Sequence, residues 1–192
     1  MLDATPTEPL YQAVKKAILV LGPESSGLHL MTNILIACGC QGNAGEGPYD
    51  EQPWDKALPT VETPIVWRRS FPHGGKWTDV GSMVGKLQIL GYDVSCIIMV
   101  REYGAMLDSQ VRHVHVQDAE KARVNIRQSY EYIFHYMTRR NAPYVLVSYE
   151  SLIYQPAPTI ANLLKALGLP PFDPYRVIEG VGIENRNTKH YV

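Results

Sequence analysis

Residues 22–29 read Gly-Pro-Glu-Ser-Ser-Gly-Leu-His, two glycines with four residues between them at the start of a helical pattern. That spacing suits a loop whose backbone N–H groups, together with a helix N-terminus, cradle an anion. Ser25, Ser26 and Thr32 add hydroxyl donors. Leu28 and His29 follow the second glycine, where a nucleotide triphosphatase carries Lys and then Ser or Thr, so kinase or ATP-hydrolysing chemistry is poorly supported. A second group is Arg68, Arg69 and His73. Guanidinium forks hold anions, and an imidazole titrating near neutrality can serve as general base. A third pairs Arg101 with Ser109, eight residues on, a suitable grip for a ribose phosphate. Each group alone also has a plain structural reading: a glycine-punctuated turn, a solvated basic turn, an arginine near an exposed serine. Their force comes from occurring together.

Groups so far apart in sequence need a scaffold that brings strand ends together. Residues 17–21 form a continuous apolar run, as in a central parallel strand covered on both faces. A helix with Leu30, Ile34, Leu35 and Cys38 on one face follows. Residues 39–60, rich in Gly and Pro, read as a long loop. Further strands are expected over 61–68, 94–100 and 144–148, with helices near 81–90 and from about Glu102. A longer helix bears Ile126, Tyr130, Ile133, Phe134 and Met137 and closes on Arg139 and Arg140, where its dipole favours cations. The last helix carries Ile160, Leu163, Leu164 and Leu167, enters at Pro156 and Pro158, and stops at Gly168. This alternation predicts an α/β fold: three α/β/α layers around a central parallel sheet, like the P-loop-containing nucleotide hydrolases. One domain is expected over 1–192, with a core over about 17–170 and a C-terminal tail over 171–192. Ligands of such a sheet sit at the carboxyl ends of its strands, where all three groups fall.

Taken in order, the motifs resemble those of the sulfotransferases that use 3′-phosphoadenosine 5′-phosphosulfate (PAPS). That family's first loop, Pro-Lys/Arg-Ser-Gly-Thr-Thr/Arg, holds the 5′-phosphosulfate; Pro23-Glu24-Ser25-Ser26-Gly27-Leu28-His29 stands in its place. Its 3′-phosphate site is an Arg at a later strand end with a Ser eight residues on, the spacing of Arg101 and Ser109. Tyr144-Val-Leu-Val-Ser-Tyr-Glu-Ser-Leu152 and Leu167-Gly-Leu-Pro170 are similar to its C-terminal strand-and-helix segment. The resemblance implies transfer of a sulfuryl group from PAPS, without a metal, to a hydroxyl or amine of a small-molecule or saccharide acceptor. It places the donor's 5′ end on the loop from Gly22 to His29, and its 3′-phosphate on Arg101 and Ser109, with Lys189 in a basic tail closing over them. Arg68 and Arg69 would neutralise the sulfuryl oxygens and His73 would act as base. The loop departs from the family at Glu24, where a basic residue is usual; His29, Arg68 or Arg69 would then supply the missing charge. Two alternatives share the fold: a P-loop phosphotransferase or nucleotide hydrolase, and a catalytically silent nucleotide-binding protein.

Composition narrows the partners. The 192 residues carry a formal net charge of −1, so no global basic field recruits nucleic acid or an anionic membrane. No apolar run approaches the ~20 residues a membrane helix needs, and the first residues lack the pattern of a signal peptide. Cysteines number three, Cys38, Cys40 and Cys96, which suits a reducing, cytoplasmic setting without a disulfide framework. Cys38 and Cys40 are too close in sequence for a usual zinc pair and are expected to be structural. The acceptor is expected beside the 39–60 loop, where Tyr49, Asp50, Glu51, Trp54 and Asp55 mix aromatic and acidic groups.

Overall fold

The computed structural model describes residues 15–42, 64–73, 75–113 and 118–183. Most of the 39–60 loop, with its acidic and aromatic residues, and Lys189 lie outside the described residues. The elements in chain order are β1 (Lys15–Gly22), α1 (Leu28–Ala37), β2 (Ile65–Ser70), α2 (Val80–Ile89) and β3 (Tyr92–Val100), then α3 (Tyr103–Arg112), α4 (Ala119–Arg140) and β4 (Tyr144–Ser148), and finally α5 (Tyr149–Tyr154), α6 (Pro156–Ala166) and α7 (Pro174–Val181).

The four strands are all parallel, in the order β2-β1-β3-β4. Alternation along β1 divides the core in two. Ile18 and Val20 pack with Met31, Ile34 and Leu35 of α1, Leu163 of α6 and Val177 of α7. Ala17, Leu19 and Leu21 pack with Val80, Met83 and Leu87 of α2 and with Ile133 and Met137 of α4. The result is the expected three-layer α/β/α arrangement around a parallel sheet. Because β2 and β3 flank β1, the helices leaving β1 and β3 go to opposite faces. That reversal opens a crevice at the carboxyl ends of β1 and β3, the usual ligand position in such sheets.

Three differences from the sequence reading matter. β2 runs to Ser70, with Gly22 paired to Ser70, so Arg69, expected just past the strand's end, lies within it next to Arg68. Tyr149–Tyr154 forms a short helix directly after β4, capped by the Ser148 side chain on the Ser151 N–H. The stretch beyond residue 170 is also more than a tail. Asp173 caps α7, Pro174 occupies its first turn, and Gly182 ends it at φ +66°. Val177, Ile178 and Ile183 are buried in the same cluster as α1 and α6. Among the described residues, no helix is long and apolar enough to cross a membrane.

Candidate active site

The loops after all four strands meet in one cleft of about 340 Å³. From β1 come Glu24, Ser25, Gly27, Leu28 and His29; from β2, Arg68, Ser70 and His73; from β3, Arg101, Ser109 and His113; and from the end of β4, Tyr149.

The first loop is shaped by its glycines and by clamps from the β3–α3 segment. Gly22 has no room for a side chain, because a Cβ there would stand 2.6 Å from Ser26 Oγ. Gly27 has φ +100°, and a Cβ would stand 2.4 Å from the Tyr149 ring. Ser25 takes the left-handed conformation at φ 66°, a strained position for a residue with a side chain. The Ser26 hydroxyl donates to Pro23 O at 2.8 Å and is fully buried, so it holds the loop and does not face the cleft. Two side chains grip the loop's carbonyls from outside: Arg101 donates to Ser25 O at 3.0 Å, and Gln110 to Glu24 O at 2.7 Å.

At the mouth of this loop α1 begins without a side-chain cap and without an acid in its first turn. By contrast α2, α3, α4 and α7 each have an Asp or Glu side chain accepting from first-turn N–H groups. The first N–H groups of any helix lack intrahelical acceptors and carry the positive end of its dipole. Here they open onto a cleft flanked by Arg68 and Arg101.

Arg101 lies over the Tyr149 ring, its guanidinium carbon 4.4 Å from the centroid. Tyr149 is itself buried. Glu102 caps α3 through bonds from the Gly104 and Ala105 N–H groups, which fixes where the helix starts and hence where Ser109 and His113 project. Arg101 and Ser109 both line this cleft.

The two strand arginines part company. Consecutive strand residues point to opposite faces. Arg68 sits beside Val20 and lines the cleft, whereas Arg69 sits beside Leu21, is 8% exposed, and faces the α2/α4 layer. The expectation that both flank one ligand is corrected: the strand extends past them and separates their side chains. Ser70 returns to the cleft side, and its Oγ lies 2.9 Å from His73 Nδ1. Glu24 Oε1 lies 3.7 Å from the same nitrogen. The His73 backbone is held by reciprocal N–H···O bonds of 2.9 Å with Lys76. Gly22 and Pro23 are not among the residues lining the cleft; Pro23 O accepts from the Ser26 hydroxyl and N–H.

Ser70, Gln110, His113 and Tyr149 went unassigned in the sequence. His113 had a signal, falling one helical turn after Ser109. Tyr149 stood inside the family-like 144–152 segment without a role of its own, and Gln110 had no signal, because it acts on the loop across the fold. Burial pushes the thiols away from the reactive thiolate range, Cys38 up to about 11 and Cys40 and Cys96 to about 12. No group of three or more potential metal-binding side chains occurs among the described residues. Tyr130 and Tyr132 bind the carbonyls of Met99 and Thr78, so they serve packing.

No family model matches the chain, and no curated protein sequence matches it. Among solved structures, its fold is similar to that of retinol dehydratase, crystallised with androsterone and the inactive cofactor PAP. The TM-score is 0.55 and the sequence identity 11%, with 86% of this chain covered. This chain spans 64% of the length of that one. The likeness is one of fold.

Proposed function

We propose that this chain is a sulfotransferase that takes its sulfuryl group from PAPS and passes it to a hydroxyl or amine of a small-molecule or saccharide acceptor. The observation that carries the reading is the wall formed by Arg101 and Ser109 beside the uncapped start of α1. It offers two anion positions in one cleft, as a nucleotide phosphorylated at both its 3′ and 5′ positions requires. The fold neighbour was crystallised with PAP, which is 3′-phosphoadenosine 5′-phosphate, the desulfated form of that donor.

In this reading the N–H groups opening α1 hold the 5′-phosphate, and Arg101 with Ser109 holds the 3′-phosphate through charge-assisted bonds. The donor supplies an activated sulfuryl group. Arg68, and not Arg69, balances charge that develops on its oxygens, as electrostatic preorganisation requires. His73 accepts the acceptor's proton, a role worth typically 10²–10⁴-fold. Among the described residues lining the cleft Glu24 is the one carboxylate, and its position beside His73 turns it to the acceptor side.

The test is thermal denaturation with PAP, AMP or ATP, each with and without Mg²⁺. Ligand at 100 times its dissociation constant adds about 2.7 kcal/mol, and each kcal/mol moves the midpoint by about 2–4 °C at this size. PAP should therefore raise the midpoint by roughly 5–11 °C, well beyond AMP. Arg101→Ala should abolish the difference. Because Arg101 also braces Ser25 O, Ser109→Ala is the second variant, and it should weaken PAP while leaving AMP unchanged. No response to PAP, or a larger one to Mg²⁺-ATP, would discard the reading in favour of a nucleotide hydrolase on the same fold.

A further inference from the structure

A carboxylate in a loop that opens onto an anion site demands an explanation. Glu24 is held there deliberately: its carbonyl is clamped by the buried Gln110, and its side chain, only 15% exposed, is turned to the end of β2. What it meets there is His73. One ring nitrogen, Nδ1, faces two oxygens, the Ser70 hydroxyl at 2.9 Å and the Glu24 carboxylate at 3.7 Å. A neutral imidazole carries its proton on one nitrogen and a lone pair on the other, and the partner of one nitrogen decides the role of the second. A hydroxyl could either give or receive a hydrogen bond at Nδ1. A carboxylate can only receive, and its negative charge favours a proton on the nearer nitrogen. With Nδ1 protonated and donating to Ser70 Oγ, Nε2 holds the lone pair.

We propose that Glu24 is a positioning residue that sets His73 in the Nδ1–H tautomer, so that Nε2 is the base, and that steadies the imidazolium once a proton has arrived. The chemistry it serves rests on the sulfotransferase reading above; the tautomer does not. In that reaction the acceptor's oxygen or nitrogen forms the new bond to sulfur. The bond from sulfur to the donor's bridging oxygen breaks, its electron pair leaving with PAP, and the acceptor's proton ends on Nε2. The acid at the loop position then contributes to the acceptor side of the cleft and not to holding the donor.

The test is the two-bond ¹H–¹⁵N correlation spectrum of the imidazoles in the uniformly ¹⁵N-labelled full chain, at a pH where the rings are neutral, with His73 assigned through His73→Ala. The wild type should show the Nδ1–H pattern for His73. Glu24→Gln and Glu24→Ala should both shift it to a mixture in which the Nε2–H form is substantial, while Ser70→Ala should leave Nδ1–H dominant. Because a negative charge leaves the cleft, both Glu24 variants should bind PAP at least as tightly as the wild type. An Nε2–H pattern in the wild type, or a His73 pattern indifferent to Glu24 replacement, would overturn the assignment. Failure of the wild type to bind PAP would instead remove the sulfotransferase reading and leave the tautomer result standing.

Discussion

Gly27→Ala joins stability and ligand binding in one perturbation. The backbone there has φ +100°, and an added Cβ would lie 2.4 Å from Cδ2 and 3.1 Å from Cε2 of Tyr149. A side chain in left-handed backbone costs roughly 1–2 kcal/mol, and forcing an extra carbon into a packed site costs about 1–3 kcal/mol more. The ring has little room to retreat, since Tyr149 is 3% exposed and packs in the cluster shared by α1, α6 and α7. A loss of about 3 kcal/mol would lower the melting midpoint by roughly 6–12 °C. The ring also carries Arg101 on its face, so displacing it moves an arginine assigned to the donor. The variant should therefore lose its response to PAP as well. A double-mutant cycle isolates the contact. In a Tyr149→Ala background the cost of Gly27→Ala should fall to the backbone part, about 1–2 kcal/mol. Gly39→Ala is the control, because Gly39 has φ +94° with nothing within 4 Å of an added Cβ. Equal costs at Gly27 and Gly39, or an unchanged PAP response in Gly27→Ala, would refute the coupling of loop, ring and arginine.

Two further outcomes are expected. Val177→Ala removes two buried methyl groups from α7, and should cost about 2 kcal/mol by urea denaturation; no change would mean that α7 does not belong to the core. Burial raises the Cys96 thiol from 9.0 to about 12, so the folded chain keeps a proton that the unfolded chain releases. The stability this gives is fully present below pH 9 and declines as pH rises toward 12, by at most roughly 1.4 kcal/mol per pH unit for this thiol. Urea midpoints at pH 8 and pH 10 should differ less in Cys96→Ala than in the wild type, and identical differences would refute it.

Elements fixed by local chemistry were legible. The apolar runs of β1 and β3, the face of α4, and the prolines and glycine bounding α6 read directly as strands and helices, and their alternation as a parallel sheet. What was missed depends on features that compete with composition. The Gly and Pro content near residues 170–182 reads as a tail, yet Asp173-Pro174 and Gly182 are a helix start and stop. At the site, the residues after each strand were legible because topology puts all strand ends together. The direction of each side chain was not. Extending β2 by two residues, to Ser70, brings Arg69 into the strand beside Arg68, where the two-residue period sends them to opposite faces. Gln110 and Tyr149 act on backbone or side chains far away in sequence, and such contacts leave no spacing to recognise.

On the sulfotransferase reading, the clamps would let a chain of net charge −1 hold an anion in one place. In a trans peptide the C=O and N–H point in opposite directions. Gln110 takes the Glu24 carbonyl and Arg101 the Ser25 carbonyl, so both bonds draw the loop's acceptors toward α3 and turn the N–H groups of Ser25 and Ser26 away from it. The Ser26 N–H closes a turn on Pro23 O at 3.2 Å. The loop's shape is thus set by neighbours that need no ligand, which removes an ordering cost from binding. Arg101 thereby touches both proposed halves of the cleft: one of its N–H donors braces the loop after β1, and it lines the same cleft as Ser109, where the proposed reading puts the 3′ group. An arginine has five such donors in a fixed fork, while lysine has a single ammonium. Lysine at 101 would restore the charge but could not make both arrangements in the same geometry.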